Sequence, residues 1–214
     1  MYMLVPFADD AQRQATHFKI RVLGLIDTFI KKQPSSPLIT RLIFPLVDLI
    51  TSSSSDERQL SDRAKSLIKS RIGKLKDVPP TVDTEQLTKV LGDLHSLARK
   101  TRSSDVCAIL NHCSLYLVRV LLHAGQEESI RDIYAQSLKD FITRKNSPLN
   151  TNFFQDFFRL HTASAWGLRD DLLGLTKNSV NVYRHFQVFH LCQVLISQLP
   201  AIVSFFVPSH ALAC

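Results

Sequence analysis

Apolar residues recur at steps of three and four along most of this chain, and no stretch alternates apolar with polar as a half-buried strand requires. The segment "HFKIRVLGLIDTFIKKQPSSP", residues 17–37, shows the pattern at its clearest. Phe18, Val22, Leu25, Ile26, Phe29 and Ile30 fall on one helical face, wide enough to pack on two neighbours. Pro34 ends that helix near Gln33, because a proline disfavours the helical region for the residue before it. Ser36 is placed to cap a second helix with Pro37 at its first position. Leu38, Leu42, Leu46, Leu49 and Ile50 then continue on one face, and Pro45 is expected to kink the helix and free the carbonyl of Arg41.

The period continues beyond a polar linker, "TSSSSDE". It predicts helices over about 58–72 and 84–100, the second with Leu87, Leu91, Leu94 and Leu97 inward. A helix from about Asp105 to His123 is apolar on nearly all sides and should lie nearest the centre, with Gly125 as its left-handed cap. Further helices are expected over 127–143, 151–160, 163–177 and 180–198. Pairs of about forty residues joined by short turns define an all-α fold of antiparallel hairpins, stacked as a HEAT/armadillo-like solenoid. An irregular helical bundle is the competing architecture. On this reading residues 1–198 form a helical-repeat domain and 199–214 an apolar tail.

Signatures of catalysis are missing from the sequence. Six glycines are scattered without forming a phosphate loop, and neither G-x-G-x-x-G nor H-E-x-x-H occurs. "SLIK" (66–69) matches S-x-x-K by letter but lacks a companion K-T-G. Asp170 and Asp171 are helix neighbours that cannot face one site. His112, Cys113 and Cys107 lack the second ligand pair that structural zinc needs. With Cys192 and Cys214 these thiols form no C-x-x-C pair, so buried thiols in a reducing compartment are expected. No cofactor is implied, and the chain reads as a non-enzyme. Residues 188–207 approach the length of a membrane span, but His190, Gln193, Gln198 and Pro200 interrupt them, which favours a buried helix.

The aromatic run "FFQDFF" places four rings on one helix face, as core packing or, less simply, as a ridge for a partner helix. The net charge of +7 is carried in part by basic clusters at Lys31–Lys32, Arg71 to Lys76, Arg99–Lys100 with Arg102, and Arg144–Lys145. All four fall at helix C-termini, where a cation offsets the negative end of the macrodipole by about 0.3–1 kcal/mol. In an antiparallel array helices one and three end on one edge and helices four and six on the other, which divides the charge rather than gathering it into a phosphate track. Lys31, Lys32, Arg99, Lys100, Arg102, Arg144 and Lys145 are the candidate contacts to nucleic acid or to a protein partner.

Three blocks, "HFKIRVLGLIDTFIKKQPSSPLITRLIFPLVDLI" (17–50), "CSLYLVRVLL" (113–122) and "FITRKNSPLNTNFF" (141–154), resemble the C-terminal part of the Myb-binding protein 1A family, also called the DNA polymerase V or polymerase phi family. The resemblance covers about residues 10–160. It implies a nuclear and nucleolar protein with a long helical-repeat body. Members of the family associate with transcription factors and other nuclear proteins as co-repressors or co-activators, and take part in ribosomal RNA transcription and ribosome biogenesis. The polymerase in the name implies no active site here, since no carboxylates are placed to hold paired magnesium ions. Family members are far longer, with an acidic tract before this region and a lysine-rich tail after it, so the chain reads as a fragment.

Overall fold

The structure is a computed structural model that describes residues 5–53 and 57–200. Every regular element among the described residues is helical. The chain forms two compact units, Met1–Asp83 and Thr84–Cys214. Residues 201–214 of the expected tail and residues 54–56 of the serine linker lie outside the described residues.

The first unit contains α1 (Val5–Lys32), α2 (Leu38–Ser52) and α3 (Arg58–Ser70), the last followed by a 3-10 turn at Ile72–Lys74. The α1–α2 turn forms at its prolines, but Pro37 rather than Ser36 takes the N-cap position of α2. Ser36 accepts from the Leu38 amide at 3.4 Å, and α2 runs through Pro45 without a break. Both α1 and α2 pack on α3 and only marginally on each other. Leu23 and Ile30 of α1 are buried, as are Ile39, Ile43, Leu46, Val47 and Ile50 of α2 and Leu60, Ala64, Leu67 and Ile68 of α3.

That burial corrects two expectations. The α1 face centred on Phe18 and Leu25 is not packed on two neighbours, and these residues are 67% and 71% exposed. In α2, Leu38 is half exposed and Leu42 and Leu49 only partly covered, while the adjacent arc of Ile39, Ile43 and Val47 is buried. The physical reason is shared. Each helix packs mainly on α3, and one main partner covers one arc of a wide apolar face.

The second unit contains α4 (Thr84–Ala98), α5 (Ser104–His123), α6 (Glu127–Thr143), α7 (Thr151–Leu160), α8 (Thr162–Trp166), α9 (Arg169–Thr176) and α10 (Val182–Ser197). Here α4 packs on both α5 and α6, and α5 on both α6 and α7. Contacts between next-but-one helices are the mark of two-layer stacked hairpins. The helix placed at the centre by its composition is there. α5 buries Ile109, Leu110, Cys113, Leu117, Val118 and Leu121 among others. It is also long and apolar enough to cross a membrane, but two thirds of that window (67%) is buried inside the protein, as in a core helix. α5 closes with Gly125 at φ 77°, and the amides of Gly125 and Gln126 bond the carbonyls of Leu122 and Leu121, each at 3.0 Å. This is the paired hydrogen bonding of a Schellman cap.

The continuous helix expected over 163–177 is instead α8 and α9, broken at Gly167 and Leu168. The chain passes close to α6 at this point, and a Cβ on Gly167 would lie 3.2 Å from the Arg131 side chain. Asn150 and Asn181 cap α7 and α10 through their side-chain oxygens, at 3.1 and 2.8 Å. The four rings of "FFQDFF", at Phe153, Phe154, Phe157 and Phe158, are buried, with Phe157 stacked on Tyr134 at 3.9 Å and Phe154 beside Phe141 at 5.3 Å. They form core, not a ridge.

Candidate functional site

The basic helix ends separate into engaged and open groups. In the first unit Asp27, one turn before the end of α1, binds Lys31 at 2.7 Å and Arg71 at 2.6 Å. Lys31 and Arg71 together hold the Asp27 carboxyl below the usual carboxylate range. The ends of α1 and α3 therefore share an edge, as antiparallel stacking requires, and an acid the sequence reading did not single out ties them together. Its spacing of four from Lys31 was a visible cue. Its bond to Arg71, 44 positions away, was not. Lys32 is exposed beside this cluster and pairs with no acid among the described residues.

In the second unit Arg99 and Arg144 come together. The Arg144 guanidinium donates to the Arg99 carbonyl and pairs with Asp140 at 3.1 Å. Arg99 donates to the Ser137 hydroxyl at 2.9 Å, and that hydroxyl also meets His95 Nδ1 at 2.8 Å. His95 lies wholly buried between Tyr134 and Phe153, and burial, reinforced by the Arg99 charge, pushes its pKa down to about 3. Two of the candidate cations thus hold α4 to α6, and Lys100, Arg102 and Lys145 remain exposed, without an ion pair among the described residues.

Several further polar groups are absorbed by the fold. A cleft of about 160 Å³ between α5 and α7 is lined by Cys107, Asn111, His112, Asn150 and Asp156. Asn111 donates to Asp156 at 2.7 Å, and Asn150 serves as the α7 cap. Burial raises the Cys113 thiol to about 12, which leaves it protonated and unreactive at neutral pH. No group of three His, Cys, Asp or Glu side chains converges on a metal position among the described residues. Arg184 of α10 is buried over the Phe141 ring at 4.2 Å and donates to the Ser147 carbonyl at 3.1 Å, so it too locks the core.

A surface of different character lies in the first unit. Because α1 and α2 diverge over α3, a groove of about 260 Å³ opens between them. Phe18, Val22 and Ile26 form one wall, Leu42, Pro45 and Leu49 the other, and Leu60 of α3 contributes to the floor. The one charged side chain in the lining, Lys19, is paired with Glu57 at 2.9 Å. Sequence reading found every one of the α1 and α2 wall residues except Pro45 as apolar periodicity, but assigned them to the core. A second exposed apolar strip runs along α10 through Val182, Phe186, Phe189 and Ile196.

Stacked helical hairpins define a helical-repeat protein. The chain belongs to the Myb-binding protein 1A-like family with TPR repeats, which matches residues 33–205. The match assigns the stacked hairpins to the TPR type of helical repeat; it begins within the 17–50 block and reaches past residue 154. A Danio rerio Myb-binding protein 1A-like protein is 24% identical over 200 residues, covering 85% of this chain and 16% of its own length. Human Myb-binding protein 1A is 26% identical over 187 residues, covering 67% of this chain and 14% of its own length. The rDNA transcriptional regulator pol5 of Schizosaccharomyces pombe is 24% identical over 160 residues, covering 74% of this chain and 16% of its own length. The chain thus corresponds to about one sixth of these relatives. No solved structure matches it.

Proposed function

We propose that this chain is a non-enzymatic nuclear and nucleolar scaffold that binds transcription factors and acts in transcription, including that of ribosomal RNA genes, and in ribosome biogenesis. The names of the relatives support the reading: one kind is called Myb-binding, another a regulator of rDNA transcription. The observation that carries it is the apolar groove between α1 and α2, a surface suited to a protein side chain and unsuited to a phosphate backbone. The test is retention of a purified Myb-type transcription factor by the immobilised chain at low and at high salt. Retention at both salts is expected. A factor that is never retained, or a tagged chain excluded from nuclei, would overturn the scaffold reading.

Direct nucleic-acid binding is a second reading, favoured by the exposure of Lys32, Lys100, Arg102 and Lys145. It predicts duplex DNA or RNA binding that falls steeply with salt, by about one counterion per phosphate contacted. The Arg99 and Arg144 side chains are committed to Ser137 and Asp140, so their loss should act through folding before it acts through binding.

A further inference from the structure

We infer that the groove between α1 and α2 takes the apolar face of an amphipathic helix whose flanks are acidic. This rests on the scaffold reading and names the partner's chemistry.

The walls set the shape of the occupant. From Phe18 to Ile26 the α1 wall rises about 12 Å, the distance spanned by side chains at i, i+4 and i+7 of a facing helix. Phe18 is exposed and the leucines of α2 are partly covered, so apolar area awaits a cover that neither α1 nor α2 supplies. With the only charge in the lining already paired, a polar or phosphate-bearing ligand would lose its hydration there without gaining a partner.

The shoulders set the charge. On α1, Arg21 lies on the shoulder that flanks the Phe18–Leu25 stripe on the side away from α3, Lys32 continues that face about 10 Å beyond Leu25, and both are exposed. On α2, Arg41 and Asp48 hold the equivalent shoulder beside Pro45, and both are exposed. Three cations against one acid select a partner with carboxylates beside its apolar stripe. A second copy of this chain is disfavoured by the same sum, because it would present the same basic shoulders to themselves, on a chain of net charge +7.

The experiment uses residues 1–214 and two fluorescent synthetic helices of about 20 residues. Both carry leucine at i, i+4, i+7 and i+11, and the flanking positions are all glutamate in one and all lysine in the other. Anisotropy titration should show the glutamate helix binding at least about tenfold more tightly than the lysine helix. Phe18→Asp, a substitution at an exposed position, should weaken glutamate-helix binding about tenfold or more with the circular dichroism melt unchanged. The double variant Arg21→Glu with Arg41→Glu should bring the lysine helix level with or ahead of the glutamate helix. Equal affinity for the two helices, no binding of either, or binding unaffected by Phe18→Asp would each overturn the inference. So would self-association that Phe18→Asp abolishes while neither helix binds, which would assign the groove to a second copy. A Myb-type factor retained equally by wild type and Phe18→Asp would sink the groove and leave the scaffold reading standing.

Discussion

α1 and α7 carry comparable apolar stripes, and the molecule treats them in opposite ways. In α7 the four phenylalanines are buried among α5, α6 and α10, with Phe157 face to face with Tyr134. In α1 the middle of the stripe faces solvent at Phe18 and Leu25, and burial is confined to the arc that meets α3. Periodicity, then, marks which residues are available for burial, and the number of neighbouring helices decides which are buried. In stacked repeats a helix with neighbours on both sides becomes core, and one with a single neighbour retains an apolar flank for something else.

The contrast is broken most forcefully by truncating a ring in each region. Phe154→Ala should cost about 3–5 kcal/mol through the cavity it leaves beside Phe141 and Phe153. Phe18→Ala should stay within about 0.5 kcal/mol, as at an exposed site. Urea unfolding followed by the single tryptophan, Trp166 in the second unit, reports the first, and circular dichroism reports both. Similar costs at the two positions would mean that the α1 stripe is packed after all.

Acid separates the units less strongly. His95 stays neutral in the folded second unit down to about pH 3, whereas in the unfolded chain it takes a proton below its ordinary value of 6.5. Stability is therefore flat above pH 6.5 and falls below it by up to about 1.4 kcal/mol per pH unit. At pH 5 that is about 2 kcal/mol from His95; burial also lowers the His161 pKa to about 4, which adds a slope of the same sign, so His95→Leu should reduce this dependence and leave the His161 part. Urea midpoints across pH 4.5–7.5 measure it, and a slope of the opposite sign would contradict a buried neutral imidazole.

Smaller effects sharpen the comparison. Gly125→Ala should cost about 1 kcal/mol, because φ is 77° at the α5 cap and a side chain is strained there. The equivalent change at Gly24, where an added Cβ meets nothing within 4 Å and the backbone is helical, should be neutral or stabilising. Asp27→Asn, which removes the partner of both Lys31 and Arg71, should cost less than about 1 kcal/mol and lose even that at high salt. Thermal melts of the three variants at low and high salt check these expectations.

Much of the fold was legible in advance. The spans of α6 and α7 agree to the residue with the periodicity, and the positive φ of Gly125 follows from its place after α5. The break at Gly167 was missed because a lone glycine is tolerated inside a helical period; the close approach of Arg131 from α6, 36 positions away, leaves no trace in the local letters. Of the candidate site, the helix-end cations were visible as letters, but their division into engaged and open was not. Ser137 and Asp140 are ordinary helix residues until α4 and α6 lie side by side. The groove was hidden for the opposite reason: its residues look like core because they have a core residue's chemistry and spacing.

Local rules were sufficient for everything a helix decides alone, because a cap, a proline and a three-to-four period act within one or two turns. They settled an all-helical chain of short-linked hairpins with cations at its C-terminal ends. Burial is a property of pairs of helices and not of one, so assembly alone could decide that α5 and α7 are enclosed and that α1 and α2 part over α3. The same apolar periodicity became a packed interior in one unit and an open groove in the other.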